Sequence, residues 1–231
     1  MNIHTRKYLI DGPVGKIELA LDLPDALRTD TEGDTPASAP SAGGAAVPVG
    51  IAFVAHPHPL YGGTLDNKVA QTLARAFVQL GYVTYRANFR GVGQTEGEHD
   101  RGIGEQDDVL AIIEHMRADP AHRDLPLALG GFSFGAFVAA RVAQRLQAGE
   151  GGGAAQRLVV VGTPAGRWEV PPVPADSIVI HGEKDETIPL ADVMTWAEPQ
   201  DLPVIVIPAA DHFFHRKLAL IKRVVTESWR V

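Results

Sequence analysis

The sequence predicts an α/β fold: a mostly parallel, twisted sheet of about seven or eight strands with helices on both faces and no large cap. Two observations carry this. From Gly50 onward, strand-length apolar runs alternate with helical segments. Runs such as Leu158-Val159-Val160-Val161 lack the polar alternation of a half-exposed strand, as strands covered on both faces must. A chain of 231 residues, 45% apolar and 21% charged, has material for such a sheet in one domain spanning 1–231.

In chain order, residues 6–11 and 14–23 read as an antiparallel strand pair at the sheet edge, turned by Asp11-Gly12-Pro13. Residues 25–48 are Ala, Gly, Pro, Ser, Thr and Asp with almost no large apolar side chain. Such a composition cannot offset its own ordering entropy, so a mobile surface insertion is expected there. Then follow strand Gly50–Ala55, helix Leu65–Leu80 with Thr64 or Asp66 as its cap, strand Val83–Asn88, helix Gly104–Arg117, strand Leu125–Leu129 and helix Phe134–Leu146. A glycine-rich solvent loop is expected at Gly149–Ala155. Beyond it come strands Arg157–Val161 and Ser177–His181, a short helix Leu190–Trp196, strand Val204–Ile207 and a terminal helix Phe214–Trp229. This alternation is the pattern of right-handed crossovers joining parallel strands.

Composition excludes several functions. A formal charge of −7 and the absence of a dense Lys/Arg run argue against a nucleic-acid partner. With no cysteine, disulfides, thiolate metal sites and a cysteine nucleophile are impossible. Met1 to Tyr8 contains basic residues but no apolar core follows, so no secretory signal is expected. No run approaches the roughly 18 apolar residues of a membrane span. A cytoplasmic protein follows as the expectation.

Gly131-Phe132-Ser133-Phe134-Gly135 carries the chemistry. A serine held on a sharp strand-to-helix turn, with glycines two residues to either side where Cβ atoms would collide, is a nucleophile elbow. From the frequencies of Gly and Ser in this chain, about 0.05 accidental matches are expected, so chance is a poor account of it. The bland alternative is a serine that merely caps a helix.

A serine hydroxyl needs a base, and the base an orienting carboxylate. His181-Gly182-Glu183-Lys184-Asp185 and Asp211-His212-Phe213-Phe214 each follow a predicted strand, at the carboxyl ends where open sheets place functional groups. Asp185 is the expected acid, over Glu183 and Glu186, and His212 the expected base, over Asp211 and His215. The order Ser133, Asp185, His212 is the order found in α/β-hydrolases. The oxyanion then needs two N–H donors. Phe134 supplies one. The other falls in His56-Pro57-His58-Pro59-Leu60-Tyr61-Gly62-Gly63, where the prolines have none, leaving His58, Leu60 or Tyr61. Position after the strand favours His58, with Leu60 next. A metal reading of His56 and His58 lacks further ligands, and no metal is expected. Arg90-Gly91-Val92-Gly93 could suggest an anion site, but a tight loop with Arg90 bonded to an acid or to carbonyls is favoured.

Taken together, His56 to Lys68, Asn88 to Gly93, Gly131 to Gly135, His181 to Asp185 and Asp211 to Phe214 give a chain that resembles, over roughly residues 6–230, small α/β-hydrolases of the dienelactone-hydrolase-like kind. It is most similar to bacterial esterase-like hydrolases with a His-Pro-His-Pro-x-x-Gly-Gly loop. The resemblance implies a cofactor-independent serine hydrolase acting on short acyl esters. Dienelactone hydrolases proper carry cysteine where this chain has Ser133, so their lactone is not the expected substrate.

Residues 163–176, with four prolines and Trp168, are too few for a helical lid. An open site is expected, walled by Tyr61, Trp168, Phe213 and Phe134, the last of which could equally be core. The expected partner is a small-molecule ester hydrolysed through an acyl-enzyme, and a homodimer is compatible with the sequence. Thioesterase and aminopeptidase-like amidase use the same machinery, and a catalytically idle binding module is the non-enzymatic alternative.

Overall fold

The computed structural model describes residues 5–27 and 47–229. Most of the insertion expected at 25–48 lies outside them; of it only the 3₁₀ turn at Asp25–Leu27 and residues 47–48 are described. Eight strands form one sheet: β1 Arg6–Gly12, β2 Gly15–Asp22, β3 Gly50–Ala55, β4 Tyr82–Ala87, β5 Leu127–Phe132, β6 Arg157–Val161, β7 Ile178–Gly182 and β8 Val204–Ile207. Their order across the sheet is β1-β2-β4-β3-β5-β6-β7-β8. The strands from β3 to β8 run parallel, while β1 and β2 form the antiparallel edge. Five helices connect them: α1 Lys68–Gln79, α2 Gly104–Ala118, α3 Phe134–Gln147, α4 Leu190–Ala197 and α5 Leu218–Ser228.

The apolar strand runs divide by parity between two cores. Ile51, Phe53, Leu129, Leu158 and Val160 pack with α2, α3 and α4. Ala52, Val54, Ala128, Val159, Val161 and Ile180 pack with α1 and α5 on the opposite face. With successive side chains pointing to opposite faces, both faces must be covered, which is why these runs contain no polar alternation.

The strand order sets the site. From β3 the chain passes outward to β4, returns to β5 on the other flank of β3, and continues through β6, β7 and β8. Loops leaving β3 and β5 therefore diverge, opening a crevice at the carboxyl ends of these neighbours.

Several boundaries differ from expectation, each for a physical reason. The first turn is Pro13-Val14, because Gly12 still pairs with Gly15. Strand β5 starts later and runs on through Gly130 and Gly131, whose partners are Val159 and Val160 of β6. Helix α1 starts at Lys68, since Asn67 caps it, its Oδ1 accepting from the N–H groups of Val69 (2.9 Å) and Ala70 (3.3 Å). Thr64 and Asp66 do not cap it: Thr64 Oγ1 accepts from the Asp66 N–H, and Asp66 pairs with Lys7. Helix α5 begins only at Leu218, because Phe214 and Arg216 have left-handed φ values of 54° and 60°.

No helix among the described residues is long and apolar enough to cross a membrane.

Candidate active site

Ser133 stands between β5 and α3 with φ 55° and ψ −122°, a conformation costly for any residue with a Cβ. Surrounding contacts enforce it. Its N–H donates to the Val161 carbonyl of β6 at 2.9 Å, and the Ala136 N–H donates to its carbonyl at 2.8 Å. The flanking glycines are required by close approach: a Cβ at Gly131 would collide with the Gly135 carbonyl, and one at Gly135 with the carbonyls of Ala55 and His56. The second approach also seats the start of α3 directly against the chain leaving β3.

His212 and Asp185 come from the loops after β8 and β7. His212 Nε2 lies 3.1 Å from Ser133 Oγ and its Nδ1 2.7 Å from Asp185 Oδ2. The acid and the histidine are buried, whereas Ser133 is half-buried. Asp185 spends its other oxygen on its own loop, Oδ1 accepting from the N–H groups of Thr187 (2.9 Å) and Ile188 (2.8 Å). The loops are stitched together: the Lys184 N–H donates to the Ala210 carbonyl at 2.8 Å, and Glu183 Oε2 accepts from the Ala209 N–H. Glu183 is thus occupied, Glu186 is exposed, and Asp211 pairs with His215 (2.5 Å) at the surface, so none of the competing residues meets His212.

In the loop after β3, the Tyr61 N–H donates to the His58 carbonyl (3.1 Å) and the Leu60 N–H to His58 Nδ1 (3.3 Å). Among the described residues, the N–H groups of His58 and Phe134 have no acceptor. That leaves two free donors beside the elbow, one of them in the first turn of a 14-residue helix, whose positive end favours an anion.

His56 does not belong with a metal. Its Nδ1 donates to the Pro57 carbonyl (2.6 Å) and its Nε2 accepts from the Phe89 N–H (2.9 Å). Burial pushes its pKa down to about 4, so it is a neutral strut joining the loops after β3 and β4. Among the described residues no group of three or more His, Asp or Glu could hold a metal ion. Arg90 is likewise structural, pairing bidentately with Asp108 at 2.6 and 2.9 Å.

The apolar wall is rearranged. Tyr61 (87% exposed) and Phe213 (50%) stand open to solvent, and Trp168 is half-buried. Phe134 is core: only 1% exposed, it packs on Phe89, Phe137 and Trp168. The first residue of α3 turns its side chain into the core, so Phe134 does not line an open wall. Two groups escaped sequence reasoning. His99 stacks on the His58 ring (centroids 4.8 Å apart), its Nδ1 2.7 Å from the fully buried Glu105 carboxylate, which itself accepts from the N–H groups of Asp100 and Gly102. Burial, followed by this neighbouring His99, lowers the pKa of His58. The other is His181, behind Asp185. Neither carries a sequence signal, since His99 packs on the ring of His58, far from it in sequence, and His181 meets only a backbone carbonyl and the acid behind which it lies.

Residues 62–179, just over half of the chain, match the family model described as serine aminopeptidase, S33. The structure is similar to XC6422 from Xanthomonas campestris, described as an α/β serine hydrolase without lid: TM-score 0.81, 35% identity, 99% of this chain and 94% of that one. It is also similar to an α/β serine hydrolase homologue from Coxiella burnetii, with TM-score 0.79 and 29% identity over 97% of both chains. In sequence it is 28% identical over 190 residues to the uncharacterized protein RP471 of Rickettsia prowazekii, covering 77% of each. The chain belongs to the serine aminopeptidase, S33 family and is a serine hydrolase of the α/β fold.

Proposed function

We propose that this protein hydrolyses carboxylic esters with short acyl groups, using Ser133 as nucleophile, His212 as general base and acid, and Asp185 as the orienting carboxylate. The observation that carries the reading is the position of His212, which bridges a carboxylate at 2.7 Å and, at 3.1 Å, the hydroxyl of a serine held in a strained backbone conformation. Ser133 Oγ attacks the ester carbonyl carbon while His212 Nε2 takes the hydroxyl proton. Asp185 stays ionised, holds the ring in its Nδ1–H tautomer and stabilises the imidazolium. The tetrahedral oxyanion is met by the N–H groups of Phe134 and His58. His212 then returns the proton to the departing alcohol, leaving the acyl group on Ser133. Water, deprotonated by His212, releases the acid by the same steps in reverse order.

The rim supports a small or surface-presented acyl group. Leu60, Tyr61 and Phe213 are exposed apolar side chains with nothing folded over them among the described residues, and Trp168 is the one aromatic set deeper. An aminopeptidase-like amidase is the second reading, favoured by the name of the matching family. We place the enzyme in the cytoplasm as a single domain acting on a small molecule.

A panel of p-nitrophenyl esters of increasing chain length, run beside acyl-CoA and aminoacyl p-nitroanilides, tests the substrate class. Turnover is expected on the short esters. Turnover of the anilides alone would replace esterase by aminopeptidase. A fluorophosphonate probe tests the nucleophile: wild type should label, and undiminished labelling of Ser133→Ala would overturn the assignment.

A further inference from the structure

His181 is fully buried in β7, and no step above uses it. Its Nε2 lies 2.9 Å from the Ile188 carbonyl oxygen and 3.5 Å from Asp185 Oδ2. Both neighbours are acceptors only, so the proton must sit on Nε2; the other tautomer would set a lone pair against two oxygens. Nδ1 is buried without a hydrogen-bond partner, so a second proton there would be stranded. Burial accordingly pushes the ring pKa down, and His181 is a neutral, single-proton donor.

What that donor holds is the residue that holds the acid. Ile188 is gripped at both ends: its N–H donates to Asp185 Oδ1 at 2.8 Å and its carbonyl accepts from His181 at 2.9 Å. Residues 181–188 are thereby closed into a loop that carries Asp185, with Ile188 bonded to both side chains. At 3.5 Å, the contact with Oδ2 is at the outer limit of a hydrogen bond. The anchoring of Ile188 therefore outweighs any direct bond to the acid.

We propose that His181 is a positioning residue for Asp185. By fixing the Ile188 backbone from its carbonyl side it steadies the N–H that pins Oδ1 and leaves Oδ2 aimed at His212. The inference rests on the triad proposed above.

A double-mutant cycle tests it, with the fluorophosphonate labelling rate of Ser133 and kcat for p-nitrophenyl acetate as readouts. His181→Phe keeps a ring but no donor, and should slow both by about tenfold, with KM little changed because His181 is remote from substrate. His181→Gln places an amide N–H near the Nε2 position and should restore the rate to within about threefold. In an Asp185→Asn background, where the charge to be aimed is gone, adding His181→Phe should cost less than about twofold. Equal losses in both backgrounds, equal losses for Phe and Gln, or no loss in His181→Phe would each overturn the proposal. Should His181→Phe fail to fold, His181→Asn, too short to reach Ile188, takes its place with the same expected loss. Failure of the triad itself reads differently, as wild type that does not label or Asp185→Asn that labels at the wild-type rate.

Discussion

His56 and His212 are both buried, both follow the carboxyl end of a parallel strand, and both use both ring nitrogens. They differ in what those nitrogens meet. His56 lies between a backbone carbonyl and a backbone N–H, neither of which can change its proton count. His212 lies between a carboxylate and a hydroxyl, so a proton can arrive at one nitrogen while charge is stabilised at the other. A buried histidine is thus a strut or a relay according to the titratability of its partners, and depth of burial does not decide which.

Breaking the relay should give the largest effects. Ser133→Ala is expected to lower kcat by about 10⁶ and Asp185→Asn by about 10⁴. His212→Asn should also abolish turnover while shifting the urea-unfolding free energy by less than about 1 kcal/mol, since its amide N–H takes the place of Nδ1 as donor to the buried Asp185 carboxylate. Equal stability losses for His212 and His56 variants would erase the contrast.

The strut should show in acid. Folded, His56 titrates at about 4; unfolded, it returns to the ordinary 6.5. Between these values the unfolded chain binds a proton that the folded one refuses, so stability is full above pH 6.5, falls as pH drops towards 4 and is level below. The loss is bounded by about 3 kcal/mol. Because burial also lowers the pKa values of His58 and His181, the effect is read as a difference. Urea midpoints between pH 7.5 and 4.5 should fall more steeply for wild type than for His56→Gln, which keeps an acceptor but cannot titrate. At neutral pH, His56→Leu strands the Phe89 N–H and should cost about 1–3 kcal/mol, with His56→Gln closer to wild type.

Tyr61→Ala sharpens the contrast at its small end. At 87% exposure the ring buries little beyond its contact with the His58 ring, so stability should hold while KM for aryl esters rises less than about tenfold.

The sequence was legible where one local rule settles one position. Strand runs buried on both faces, a Gly-x-Ser-x-Gly turn and the order Ser133, Asp185, His212 each follow from such rules, and the structure brings those three side chains together. Legibility ended where a position depends on an unseen partner. Asn67 displaced Thr64 and Asp66 as cap because Asp66 is drawn to Lys7, 59 residues earlier. Phe134 could be wall or core until the rings of Phe89, Phe137 and Trp168 fixed it as core. The metal reading of His-x-His fails for want of further ligands, but the sequence does not show that His56 is held between the Pro57 carbonyl and the Phe89 N–H while His58 packs on His99. Nothing local separates those fates.

Strand β8 has only four residues, three of them half-buried, and forms the outer margin of the sheet. It is also the support from which His212 hangs, while Ser133 rides between central strands. Margins fray before centres, because fewer buried contacts oppose their opening. Warming should therefore detach the proton acceptor from an otherwise intact nucleophile: heat inactivation sets in below the melting temperature seen by circular dichroism, and is reversible on cooling.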